Sequence, residues 1–392
     1  MHYFDYAATS PILDDVLEAM LPYLREGFGN PSSVYAVGRE SKKGIEQARE
    51  QVADAIGANP SQVIFTAGGT EADNLALKGS AGKSEAGHII TTGIEHHAVL
   101  HSARWLESQG STLTVLRVSG DGVVDLDALE AALTPRTRLV SIMLVNNELG
   151  SIQPVAEAVN LIREKSKALV HTDAVQGLGK MKVDVDDLGV DLASFSAHKL
   201  GGPKGTGALF VKRGTPLEPL FHGGGQERDL RSGTPNVAGI VGFGVAAQIA
   251  AKEVDEEAER LGKLRDDLQE RLLTLIDGVT VNAAHAPRIP GTLSVNIAGV
   301  EGESLLLMLD SNDIAASSGS ACASGSLDPS HVLLAIGVPT ALAHGSLRLS
   351  LGRATTTANI DHLLGCLPKV VAKLRSIPAR PARPAGPARR RR

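Results

Sequence analysis

The sequence predicts an α/β fold, with a mostly parallel central sheet flanked by helices and a smaller α+β domain beside it. Three observations point there. Short, continuously apolar runs recur up to about residue 215, with amphipathic segments between them, the pattern of strands covered on both faces. A long helical stretch from Pro235 to about Ile276 then precedes a second group of strands and helices. The chain has 392 residues, 43% hydrophobic and 21% charged, enough to bury more than one core.

The elements follow in order. Apolar runs at Gln62–Phe65, His88–Ile90, Leu113–Leu116, Leu139–Val145, Ala168–His171, Leu192–Phe195 and Ala208–Val211 predict strands. Amphipathic segments such as Asp127–Leu133 and Val155–Lys167 predict helices between them, and this βα order implies a parallel sheet with its sites at the carboxyl ends of strands. Residues 235–276 read as one long helix or two, with the charged half, Lys252–Glu270, exposed. Gly291–Ile297 reads as an alternating strand, Glu303–Leu309 as a helix and Gly345–Leu351 as another strand. The predicted organisation is an N-terminal segment (1–15) joining the small domain, a large domain (16–254) and a small C-terminal domain (255–375). A disordered tail (376–392) repeats Pro-Ala-Arg and ends in four arginines.

A net charge of −5, with the basic run confined to that tail, argues against strong nucleic-acid binding. Two cysteines exclude a disulfide scaffold and a Cys-only zinc or iron–sulfur site within one chain. The longest apolar run, Val237–Ala251, falls short of the roughly 20 residues of a membrane span. The N-terminus lacks a basic region followed by an apolar stretch, so no membrane partner and a cytoplasmic location are expected.

Chemistry-bearing residues cluster after the predicted strands. Lys199, in Ser196-Ala197-His198-Lys199, follows one run by four residues; a lysine near apolar walls loses its proton easily and can form a Schiff base, whereas a lone lysine commonly just solvates a loop. Asp173, in His171-Thr172-Asp173-Ala174-Val175-Gln176, either caps the next helix or holds a protonated ring nitrogen, with Gln176 three residues on. Thr66-Ala67-Gly68-Gly69-Thr70-Glu71 is either a plain turn or a helix N-terminus open to phosphate. In Glu95-His96-His97-Ala98-Val99-Leu100-His101, His97 and His101 have i, i+4 spacing but no third ligand, so an aromatic stacking or acid/base histidine is favoured over zinc. Cys322 lies in a run of tiny residues, Ser317–Ser326, that suits an exposed nucleophile, while Cys366 reads as a buried small hydrophobe. His222-Gly223-Gly224-Gly225 matches an esterase oxyanion loop, but no Gly-x-Ser-x-Gly elbow accompanies it.

An amine, a ring-nitrogen acid, a stacking ring and phosphate donors are what a phosphorylated pyridine aldehyde requires. The ordered motifs carry the same message: Phe4–Thr9, Phe28–Ser33, Gly68–Asn74, Glu95–Val99, Asn146–Gly150, Asp173–Gln176, Ser196–Lys199, His222–Arg228, Arg231–Thr234, Ser317–Cys322 and Arg348–Arg353. From residue 4 to 353 the chain resembles the class V, fold-type I enzymes that use pyridoxal 5'-phosphate, specifically cysteine desulfurases of the NifS/IscS type. The resemblance implies that Lys199 carries the coenzyme and moves the Cα proton, that Asp173 keeps the pyridine nitrogen protonated and that His96 stacks on the ring. It assigns Gln176 to the ring hydroxyl and Asn147 to orientation. Gly69, Thr70, Ser196 and His198 go to the phosphate, and Thr234 to the phosphate of the other subunit of a homodimer. Arg348, assisted by Asn30, is assigned to the carboxylate of L-cysteine. Cys322 would take the substrate sulfur as a persulfide, release L-alanine and pass sulfur to an iron–sulfur scaffold protein or a tRNA-thiolation enzyme. No resident metal is implied, and Cys322 would meet an iron–sulfur cluster only transiently. Cys322 argues against a class V aminotransferase, selenocysteine lyase stays as a competing activity, and intact Lys199, His96 and Cys322 oppose a non-catalytic scaffold. Two departures stand out: the Pro/Arg tail replaces the family's scaffold-contacting C-terminus, and Gly69 stands where some relatives carry alanine, a change expected to be harmless.

Overall fold

Strand-forming runs collapse into two sheets and a short strand pair in the computed structural model, which describes residues 1–81, 87–319 and 329–377. The described strands are β1 (His2–Tyr3), β2 (Val63–Thr66), β3 (His88–Thr92), β4 (Thr112–Leu116), β5 (Thr137–Ser141), β6 (Leu169–Asp173), β7 (Leu192–Ser196), β8 (Gly207–Val211), β9 (Val279–Val281), β10 (Thr292–Ile297), β11 (Ile314–Ala315) and β12 (Ser346–Ser350). The seven-stranded sheet has the order β2-β8-β7-β6-β5-β3-β4 and is parallel except for β8, which runs antiparallel to both neighbours. The apolar run Leu139–Val145 outlasts β5, yet Ile142 and Leu144 still donate backbone N–H groups to His171 and Asp173 of β6.

Both faces of this sheet are covered, as continuous apolarity predicts. One face packs Ile90, Val140, Val170, Phe195 and Phe210 against Ile45, Val159 and Phe243. The other packs Ile89, Leu139, Leu192 and Leu209 against Leu75 and Leu106. A separate core gathers Leu293, Val295, Leu347 and Leu349 with Leu268, Leu272 and Leu363, and Phe4 from the N-terminal segment joins it. The alternation of β10 is present but does not face water: Ser294 and Asn296 are also buried, hydrogen-bonded to Asn282.

Residues 235–276 form one helix, Val237–Leu275, and position 254/255 falls inside it. By length and composition this helix could cross a membrane. Its apolar half instead lies against helices Asp14–Arg25 and Ala36–Ala55 and buries Ile240, Phe243 and Ala247. The last described helix, Thr357–Ser376, ends on the first residue of the expected tail, and 378–392 lie outside the described residues. Cys366 is only partly buried, because it lies at the edge of the second core with its Sγ 3.9 Å from His362 Nε2.

Candidate active site

Strand ends converge on one cavity of about 370 Å³. Gly69, Thr70, His96, Asn147, Asp173, Gln176, Ser196, His198, Lys199 and Arg348 all line it. Each reaches it by a local device. Beyond β7 the chain closes a single 3₁₀ turn, Ala197–Lys199, that lifts Lys199 off the sheet. Asp173 is the last residue of β6. His96 caps helix His97–Ser108, its Nδ1 accepting the Ala98 N–H at 3.2 Å. Gly68, at φ +148°, adopts backbone that L side chains rarely take and opens the N-terminus of helix Gly69–Ala81 toward the cavity. Arg348 arrives from β12 of the other sheet.

The N-terminal segment completes the wall. Lys199 Nζ donates to the carbonyls of Ala7 and Ala8 at 2.6 and 2.7 Å, and His198 Nδ1 lies 3.1 Å from Thr9 Oγ1. Arg348 donates to the Asn147 carbonyl at 2.9 Å and to Asp5 Oδ1 at 2.6 Å, while its buried Nε has no hydrogen-bond partner among the described residues.

Burial dominates the electrostatics. It pushes Asp173 up to about 6, an effect opposed by the Val175 N–H and by Lys199. Below it lies Asp73, 1% exposed, raised well above the carboxylate range by burial and by Asp173. Two carboxyls in one dry site cannot both ionise cheaply, so burial and their mutual repulsion favour one proton held on the pair. His171, 3.6 Å from Asp73, is held neutral by burial, its pKa down at about 3. Burial, then Lys199, keeps His96 at about 4, a neutral ring at physiological pH.

Glu95, fully buried, is pushed up to about 8 by burial, against hydrogen bonds from Met143 N–H and Thr92. A raised folded-state value means stability that is full below the unfolded value and lost as pH rises through about 8. Glu95→Gln in the coenzyme-free protein should therefore gain on its parent as pH climbs from about 4.5 to about 8 and gain nothing further beyond it. Thermal midpoints of the pair across that range check this; a difference independent of pH contradicts it.

Not every expected residue is here. Asn30 is exposed, its Oδ1 accepting the Ser32 N–H at 2.9 Å, and Thr234 is exposed; neither lines the cavity. Cys322 lies outside the described residues. His97 stacks on His101 and packs against His331, with ring centroids 4.7 and 4.6 Å apart. Gly69 lines the cavity as expected, and glycine suits its neighbour: a Cβ there would come within 2.7 Å of a Val175 methyl. Sequence reasoning gave no role to Ala7, Ala8, Asp73 or Glu95, although all four lie in quoted motifs. It missed Lys180 altogether, a single lysine in a glycine-rich turn.

Comparison with known proteins gives the same picture over most of the chain. The aminotransferase class-V family model matches residues 2–363. Cysteine desulfurase IscS of Dictyoglomus turgidum is 49% identical over 377 residues, 96% of this chain and 95% of that protein. Cysteine desulfurase IscS of Methanosarcina thermophila is also 49% identical, over 96% of this chain and 93% of its own. Among solved structures, a NifS-like protein superposes with a TM-score of 0.89 at 41% identity, covering 95% of this chain and 99% of that one. SspA in complex with cysteine superposes with a TM-score of 0.80 at 38% identity, covering 90% and 99%.

Proposed function

Because the chain belongs to the aminotransferase class-V family and is a cysteine desulfurase, we propose that it takes sulfur from L-cysteine onto Cys322 as a persulfide and releases L-alanine. The carrying observation is that Lys199, Asp173, His96 and Arg348 share one cavity.

The residues fit pyridoxal 5'-phosphate. The open N-terminus at Gly69 and Thr70, with Ser196 and His198, offers donors to a phosphate. Lys199 offers the amine, Asp173 a carboxylate for the pyridine nitrogen, neutral His96 a stacking face, and Asn147 and Gln176 polar contacts. When bound, the coenzyme supplies an electron sink that weakens bonds at the substrate's Cα and Cβ. The chain's own residues do the rest. Lys199 moves the Cα proton. Arg348 takes the substrate carboxylate. Cys322 as thiolate attacks the substrate sulfur; the S–S bond forms, the Cβ–S bond breaks, its electron pair stays on carbon and protonation there yields alanine. The persulfide then passes to an iron–sulfur scaffold protein or a tRNA-thiolation enzyme.

The working unit is a homodimer. Phe28, Val34 and Tyr35 are 79%, 87% and 53% exposed around Asn30, an apolar rim suited to a second copy. Covering it buries Asn30 beside substrate and lets Thr234 reach the phosphate of the other subunit.

Mass spectrometry after incubation with L-cysteine tests the reading: one added sulfur is expected on the peptide bearing Cys322, with alanine formed. A peptide without added sulfur, alongside unconsumed cysteine, contradicts it. Arg348→Lys should raise KM for L-cysteine about 30-fold or more, because an ammonium cannot replace a bidentate fork. An unchanged KM in steady-state assays would remove Arg348 from substrate binding.

A further inference from the structure

Lys180 follows Gln176 by one helical spacing, in the turn after β6. Its ammonium contacts Gln176 Oε1. Gln176 Nε2 donates to the Ala7 carbonyl at 2.9 Å, the same carbonyl that accepts from Lys199. A side-chain amide has one acceptor end and two N–H donors. With Oε1 turned to Lys180 and one N–H on Ala7, the second N–H is left to face the cavity that Gln176 lines.

We propose that Lys180 is a positioning residue: it fixes the Gln176 amide so that the site offers a donor, and not an acceptor, to an anionic ring oxygen of the coenzyme. Without Lys180 the amide can turn over and present Oε1, which repels such an oxygen. The surroundings set this lysine apart from one that merely solvates a turn. Lys180 shares a neighbouring apolar cavity with Lys199, Tyr6 and the carboxylates of Glu253 and Glu257. Burial first, then the charges of Lys199 and Arg348, pull its pKa down to about 7. His198 also feels its charge. The inference rests on the coenzyme reading above and deepens the role of Gln176.

The test is a pH titration of the visible band of the holoenzyme. A donor on the ring oxygen favours its ionised form and lowers the midpoint. Lys180→Met is expected to raise the midpoint by about one pH unit, and Lys180→Arg, which keeps a charged donor, to stay near the parent. In a Gln176→Leu background the Lys180→Met shift is expected to fall to about a third or less, as coupled residues require. A full shift persisting in that background means that Lys180 acts directly as a charge, and overturns the proposal. So does an unmoved midpoint in both backgrounds. Parent protein that forms no visible band with pyridoxal phosphate defeats the coenzyme reading itself, whereas a band that ignores Lys180 defeats only this inference.

Discussion

Replacing Lys199 by alanine is expected to abolish the visible coenzyme band and to lower alanine release from L-cysteine by about 10³-fold or more. Two roles proposed for it are lost together, covalent anchoring and transfer of the Cα proton, and among the described residues no other amine is placed to take both. Lys180 is nearby, but it is turned to Gln176 Oε1 and walled with Glu253 and Glu257. The variant should still fold, because Lys199 is only partly buried and its anchors are two carbonyls that water can satisfy. Absorbance spectra with a cysteine-dependent alanine assay provide the check. Retention of the band and of turnover would move the amine role elsewhere.

Cys322→Ala is expected to behave oppositely. The coenzyme stays, since the residues proposed to hold it are all unchanged, but the added sulfur on that peptide disappears and sulfur transfer falls by about 10²-fold or more. Mass spectrometry and delivery of sulfur to a small thiol acceptor measure both. Full delivery by the variant would take the nucleophile away from Cys322. Together the two variants separate loss of the electron sink from loss of the acceptor sulfur.

Much of the site was legible because its signals are local. Glycines 68 and 69 before a helix, an aspartate closing an apolar run and a lysine four residues past another are patterns that backbone geometry imposes within a few residues. All but three of the residues expected from sequence line the one cavity. Asn30 and Thr234 do not, because their places are argued from a second copy, and Cys322 lies outside the described residues.

The fold was legible for the same reason, with exceptions that have physical causes. The long helix reads as uncertain between one and two because its composition changes halfway; it stays continuous because one half packs in the large core and the other, through Leu261, Leu268 and Leu272, in the small one. β10 alternates as if half-exposed, yet Asn282 covers its polar face with hydrogen bonds.

The amino-acid order alone determined which residue types stand at which strand ends, since strand, turn and helix start are properties of neighbours along the chain. Tertiary structure decided which distant groups meet: Ala7 and Ala8 on Lys199, Arg348 between Asp5 and Asn147, and Asp73 beneath Asp173. It also set their protonation, because the shifts of Asp173, His96, His171 and Lys180 come first from burial, a property no stretch of sequence carries until the chain has closed around it.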